Sequence, residues 1–260
     1  MRAFLLAACA AVTWLSAAAV SGADTPSAAL PVGETLRYQA RWMGIVVGEG
    51  SIAVQDVTTV DGRQAYHLVA TASSNAFLSQ WYPLRDEVHS YVDAERSAVL
   101  RYDKHQREGR YRAEETVTFD YPRGVATYRS WLNQSVKEVP IFAGLLDPLG
   151  SLYVLRQRAL EPGRSFTIPV YSDEKIYQME VKVLRRFSME LLRRGVFDCV
   201  EVEPVATFKG LLVKRGRVRV ALTDDARRIP LEIRLATPWG AITGVITRES
   251  LQAALRRRAP

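Results

Sequence analysis

Two cysteines and three histidines are the whole supply of thiol and imidazole in this 260-residue chain. Two cysteines cannot build a disulfide framework or a four-cysteine zinc site. Sixteen glycines and twelve prolines are too few for a collagen-like or low-complexity chain, and 24% charged residues leave no disordered, highly charged class to consider. The motifs that announce common chemistries are missing as well. There is no G-x-S-x-G elbow, no H-E-x-x-H, no Walker loop and no G-x-G-x-x-G after a strand. Val47-Gly48-Glu49-Gly50 holds only two of the glycines and reads as a strand with a bulge or a close backbone approach. The chain is therefore expected to be no enzyme and to use no cofactor.

What is present begins with an export signal. Met1-Arg2 is a short basic start, Ala3 to Val20 is apolar apart from Thr13 and Ser16, and Ser21-Gly22-Ala23 supplies small residues for cleavage before Asp24. Leu6-Ala7-Ala8-Cys9 also spells a lipobox, but cleavage there leaves too short an apolar stretch ahead of Cys9. An uncleaved anchor would need about 20 apolar residues and no small-residue exit. Residues 1–23 are thus read as a signal peptide, the destination as the periplasm, and residues 24–260 as one β-rich domain of 237 residues. A chain of that length buries roughly 70% of its unfolded surface, so it needs no staples. Cys199 then stands alone in an apolar strand context and reads as a small hydrophobe.

Period-2 alternation dominates the rest. Leu36, Tyr38, Ala40 and Trp42 alternate with polar neighbours, as do Met179, Val181 and Val183, then Val218, Val220 and Leu222, then Leu231, Ile233 and Leu235. Successive strand side chains point to opposite faces, so each segment has one dry face and one wet one, the pattern of antiparallel sheets. About fifteen such segments are separated by turn signals such as Asp61-Gly62 and Arg194-Gly195. The predicted fold is mainly β: curved antiparallel sheets forming a sandwich or partly open barrel. Asp147 as N-cap with Pro148 at the first helical position predicts a central helix over about 147–161, stopped by Pro162-Gly163. A shorter helical segment is expected over Ala76–Tyr82, and an amphipathic one from Arg248 to Arg258.

The segments flanking the central helix, about 30–141 and 163–247, look like two halves on one plan. Gly33-Glu34-Thr35-Leu36 is echoed by Gly163-Arg164-Ser165-Phe166, and Asp93-Ala94-Glu95-Arg96 by Asp224-Asp225-Ala226-Arg227. Chance recurrence of common turn signals is the competing explanation.

Gly33-Glu34-x-Leu36-x-Tyr38-x-x-x-Trp42-x-Gly44-x-x-x-Gly48, then Asp147-Pro148-Leu149 running into Leu155-Arg156, then Asp224 and Pro230, resembles DUF3108, a family of exported bacterial proteins without an assigned activity. The resemblance spans about residues 30–247. It implies a periplasmic antiparallel β protein similar to the curved sheets of lipid- and lipoprotein-carrying factors, and it supplies no catalytic residues.

Candidate site residues follow from side-chain chemistry. Trp42, Trp81, Tyr82 and Trp239 lie near turns, where aromatics line ligand clefts when they are not simply core. Arg85 and Arg156 sit beside apolar segments and are candidates either to anchor an anionic head group or to close an internal salt bridge. His89, Asp103 and His105 are a candidate metal set only if neighbouring strands bring them together; solvated strand histidines are the alternative. Charge is uneven: residues 24–146 carry 13 basic and 15 acidic groups, residues 147–260 carry 21 and 13. Export sets nucleic acid aside and leaves lipid, an anionic envelope component or peripheral membrane contact as partners, against a merely solubilising surface. No metal is expected, and nothing fixes an oligomeric state. The sequence thus favours a non-enzymatic binding module for a hydrophobic or amphiphilic envelope molecule, with an envelope assembly or interaction protein with a filled core as the runner-up.

Overall fold

The computed structural model describes residues 29–191, 194–208, 211–212, 217–237 and 240–257. Residues 1–23, expected to be a signal peptide, and Trp239 lie outside the described residues. The first eight strands are β1 (Thr35–Trp42), β2 (Ile45–Val60), β3 (Arg63–Ser74), β4 (Leu84–Asp93), β5 (Val99–Glu108), β6 (Tyr111–Asp120), β7 (Val125–Ser130) and β8 (Val136–Pro140), with α1 (Ala76–Ser79) between β3 and β4. Helix α2 (Pro148–Arg156) follows, and then β9 (Ser165–Ser172), β10 (Lys175–Leu191), β11 (Gly195–Phe208), β12 (Leu211–Leu212), β13 (Arg217–Thr223), β14 (Pro230–Thr237), β15 (Gly240–Ile246) and α3 (Arg248–Arg256).

Every named strand pairs antiparallel within one continuous sheet, in the order β8-β7-β6-β5-β4-β3-β2-β1-β15-β14-β13-β11-β10-β9, with β12 paired to β11 off this path. The fold is thus the expected curved antiparallel sheet, and one open sheet rather than two stacked ones. It consists of two meanders, β1–β8 and β9–β15, joined where β1 pairs with β15 from Tyr38↔Ile246 to Trp42↔Ile242. Its edges, β8 and β9, do not pair. The chain ahead of α2 bridges the gap instead: Leu146 makes a parallel bridge to Val170, its N–H donating to Pro169 at 3.1 Å and its carbonyl accepting from Tyr171 at 2.8 Å. Lys137 on β8 reaches Glu174 beyond β9 at 2.6 Å, and Tyr171 packs edge-on against Phe119 at 5.2 Å.

Bulges bend the long strands, as an extra residue on one strand does. Register shifts fall between Val54 and Asp56 on β2 and between Val183 and Arg185 on β10. The entry turns of the two meanders match as well. Gly33 N–H donates to Val54 O while Val54 N–H donates to Glu34 O, and Gly163 with Val183 and Arg164 repeats both bonds. Gly33 and Gly163 have φ of 75° and 83°, which only glycine adopts without cost. Gly48 is a different case, since a Cβ there would strike the Ser73 carbonyl oxygen on the neighbouring strand.

Inward positions form a large main core and a smaller cluster around Val99, Val117, Phe119 and Tyr171. Leu36, Val54, Leu68, Val181, Leu222 and Leu231 are fully buried, and α2 lies among them with Tyr153 and Leu155 buried. Asp147 starts α2 as expected, its carboxylate accepting from Leu149 N–H at 2.8 Å and Gly150 N–H at 3.1 Å. The helix ends at Arg156, five residues earlier than expected, because Gln157 and Arg158 turn their N–H groups back onto Val154 and Leu155 and tighten the last turn. Leu160 is nevertheless buried in the coil that follows. Helix α1 is one turn, capped by Asn75, and α3 is capped by Thr247.

Candidate ligand cavity

Alternation on β10, β11, β13 and β14 sends Met179, Val202, Val220 and Ile233 toward the concave side of the second meander. Helix α2 approaches them with Ser151, Leu152 and Leu155 but does not fill the space. A cavity of about 740 Å³ remains, within the size range of small-molecule sites. Its wall is mainly aliphatic, completed by Val170, Val218 and Leu235 and by the aromatic Tyr177. The few polar groups are Ser151, Ser172, and Glu203 with Arg217, whose Nε lies 3.6 Å from the Glu203 carboxylate.

The sheet makes room here for a local reason. Strand β11 pairs with β13 only from Cys199↔Thr223 to Val202↔Val220. Two residues further on stands Pro204, which has no N–H to offer a ladder, and Glu203–Ala206 opposite Arg217 and Val218 become cavity wall. Glu203–Ala206, Arg217, Leu235 and Tyr177 lie toward the ends of their strands on the side of the sheet where β1 ends at Trp42. Call-out for catalysis is lacking among these groups: a carboxylate, a guanidinium and two serines around aliphatic carbon form no nucleophile–base pair.

Most residues singled out in the sequence lie elsewhere. Trp42 is 41% and Trp81 67% exposed, and Tyr82 and Arg85 are exposed too; none lines the cavity. Trp42 fails to join the core despite its alternation because it sits at the β1–β2 tip, beyond the last core layer. Arg85 is on an outward position of β4, whose inward positions are Val88, Ser90 and Val92, so it is neither buried nor paired inside. With Met43, Ile45, Phe77 and Tyr111, also exposed, these residues form an apolar, aromatic rim at one end of the first meander. Arg156 is buried instead, making a bidentate pair with Glu34 at 2.5 and 2.9 Å and donating to the carbonyls of Arg227 and Arg228. Burial alone pushes its pKa down, but the hydrogen bonds and charge of Glu34 outweigh that and raise it. It closes an internal salt bridge, one of the two alternatives for this residue.

The three histidines share the outer face of the first meander. His67 and His89 ring nitrogens are 2.9 Å apart, His89 also meets Glu87 at 2.9 Å, and His105 stands edge-on to His89 at 6.5 Å. Burial lowers the His67 pKa despite the nearby Asp56. Among the described residues no three His, Cys, Asp or Glu side chains converge as a metal site. Cys199 is buried, its thiol pushed up to about 11 by desolvation, which makes it inert at neutral pH. Much of the basic surplus is neutralised in place: Arg185 meets Glu201 at 2.9 Å, Arg219 meets Glu203 at 3.1 Å, and Arg186 and Arg228 share Asp224 at 2.6 Å.

The cavity-lining residues were visible in the sequence only as dry faces of strands. Alternation says which side chains turn inward; it does not say whether those from opposite walls meet.

No curated protein matches the chain. Among solved structures, it is similar to the crystal structure of a β-barrel-like protein of domain of unknown function DUF1849 from Brucella abortus, with a TM-score of 0.55 and 8% identity over 82% of this chain and 95% of that one. At that identity the likeness concerns the fold alone. Residues 37–247 match the family model described as protein of unknown function DUF3108, and the chain belongs to that family.

Proposed function

We propose that this protein is an exported, non-enzymatic binding module that holds the apolar part of an amphiphilic cell-envelope molecule in the cavity beside α2. The observation that carries the reading is the cavity of about 740 Å³ with an almost wholly aliphatic wall. An unfilled apolar space costs its lining the contacts a packed core would give, and a bound acyl chain restores them at about 0.8 kcal/mol per buried methylene. The signal-like residues 1–23 support delivery to the periplasm, where such molecules occur. The exposed rim supports contact with an anionic membrane surface. Trp and Tyr sit well at head-group depth, and Arg85 and Arg107 face each other across β4 and β5 with no carboxylate in ion-pair range among the described residues.

The test is protein purified from its own periplasm, analysed by native mass spectrometry and titrated with a fluorescent fatty acid. A co-purifying lipid and saturable probe binding are expected. Val220→Phe, which fills the cavity from β13, should weaken the probe by at least about tenfold, the equivalent of two lost methylenes. Absence of lipid together with equal probe signals for both proteins would leave the filled-core assembly protein as the better account.

A further inference from the structure

A second, smaller cavity of about 320 Å³ lies at the other end of α2, where its last turn meets the chain entering β1, the β13–β14 turn and the end of α3. It shares no lining residue with the larger cavity. Much of its wall is apolar too, but it carries five arginines, Arg156, Arg158, Arg227, Arg228 and Arg257, with Glu34 as its one acidic residue.

Pairing accounts for three of these arginines. Glu34 neutralises Arg156, Asp225 holds Arg227, and Asp224 holds Arg228 at 2.6 Å. Arg158 and Arg257 have no carboxylate partner among the described residues. Arg257 donates to the Val32 carbonyl at 3.0 Å and to that of Gly33; Arg158 lies 5.8 Å from the Phe166 ring centre. Two arginines of this wall therefore carry charge that no carboxylate among the described residues offsets.

Two donors in the wall are also buried and unused. The Tyr153 hydroxyl, on a side chain only 1% exposed, and Arg158 Nε have no hydrogen-bond partner. A buried donor without an acceptor is costly, and such groups are rare in native proteins. The one carboxylate of the pocket, Glu34, is engaged by Arg156 through both oxygens and makes no hydrogen bond to the Tyr153 hydroxyl. What the pocket lacks is an acceptor carrying negative charge and more than one oxygen.

We infer that this pocket is an oxyanion site of the phosphate class, with the Tyr153 hydroxyl and Arg158 as its principal donors and Arg257 supplying the remaining charge. Arginine suits this chemistry because its planar fork meets two oxygens at once. The site stands apart from the amphiphile reading and does not depend on it. Free phosphate and the phosphate of a lipid head group present the same oxygens, so the two sources are separated by experiment.

The experiment is thermal unfolding of the whole protein in inorganic phosphate, in glycerol 3-phosphate as a soluble head-group fragment, and in chloride at equal ionic strength. Phosphate should raise the melting temperature of the unmodified protein saturably. Tyr153→Phe should melt in chloride at or above the unmodified protein, since it deletes an unsatisfied hydroxyl, and should lose the rise in phosphate. Arg158→Gln should weaken phosphate at least about tenfold, the scale of one charge-assisted hydrogen bond. Tighter action by glycerol 3-phosphate assigns the site to head groups, and tighter action by phosphate assigns it to the free ion. Three results would overturn the inference: no rise at all, an equal rise in all three proteins, or a Tyr153→Phe variant that melts lower in chloride.

Discussion

The concave faces of the two meanders are built on the same rungs and finished differently. In the first meander Ser90 pairs across with Tyr102 and Val88 with Lys104, just before the register shift at Tyr91/Val92. In the second, Val220 pairs with Ile233 and Val218 with Leu235, just before the shift at Ala221/Leu222. Three of the four residues in the first are polar or aromatic, whereas all four in the second are aliphatic. The polar set is used: Ser90 donates to the buried Asp147 that caps α2, and Lys104 meets Glu115 at 2.7 Å and Asp173 at 3.5 Å across the open edge of the sheet. Burial pushes the Lys104 pKa down, but the hydrogen bond and charge of Glu115 more than offset it and hold the ammonium charged. The first face thus clamps the helix and the far edge, while the second is left lined and unfilled. One scaffold serves as fastening on one side and as container on the other.

The strongest way to break this comparison is to cut the fastening. Asp147→Ala removes the N-cap of α2 and leaves the Ser90 hydroxyl buried without its acceptor. A lost cap costs about 1 kcal/mol and an orphaned buried hydroxyl about 1–3 kcal/mol, so urea denaturation should show a loss of about 2–4 kcal/mol. Leu235→Ala on the container side should cost about 1 kcal/mol, well under the usual 2–5 kcal/mol of a core leucine, because its side chain faces space already empty of protein contacts. Equal losses at the two positions would mean that the faces do not differ as described.

A sharper test makes the container resemble the fastening. Leu235→Lys places on β14 the residue type that stands on the matching rung of β5. Near the strand end a lysine can stretch its chain along apolar surface and keep its ammonium in water. Stability should therefore change by less than about 1.5 kcal/mol, while fluorescent fatty-acid binding falls at least about tenfold through the lost apolar wall. Unchanged binding would show that the probe sits elsewhere, on the exposed rim for example.

The difference between the faces also explains what the sequence made legible. The wet and dry sides of β1, β10, β13 and β14 could be read from alternation, and Leu36, Val181, Leu222 and Leu231 are indeed fully buried. Asp147-Pro148 announced α2, since capping chemistry is local. The end of α2 was less legible: Pro162-Gly163 is a local stop signal, but the tightened turn at Gln157 precedes it. The cavity was not legible, because it depends on how far β11 and β13 part after Val202 and how closely α2 approaches Met179 and Leu235, both non-local distances. The place of the aromatic residues was not legible for the same cause. Trp42 and Trp81 near turns fit a cleft mouth and an exposed rim equally well, and only the three-dimensional position of the β1–β2 tip separates them.

The smallest expected effect concerns the matching turns beyond these rungs. In the β4–β5 turn Asp93 both accepts the N–H groups of Glu95 and Arg96 and pairs with Arg63. In the β13–β14 turn Asp225 does both, accepting from Arg227 N–H and pairing with the Arg227 guanidinium, and a second carboxylate, Asp224, is held by Arg228 and Arg186. The hydrogen bond from Arg228, with that from Arg186, keeps the Asp224 carboxyl below its ordinary value. A carboxyl lowered on folding adds stability above its unfolded pKa of about 3.9 and loses it as the pH falls through the lower folded value. Asp224→Asn should therefore cost up to about 1 kcal/mol at pH 7, the scale of a solvent-screened surface pair, and the difference from the unmodified protein should shrink below about pH 4. Urea midpoints measured from pH 7 down to pH 3 give both curves. Curves that stay parallel over that range would mean that Asp224 is no more strongly held in the folded chain than in the unfolded one, and that the second aspartate gives this turn no electrostatic advantage over its partner.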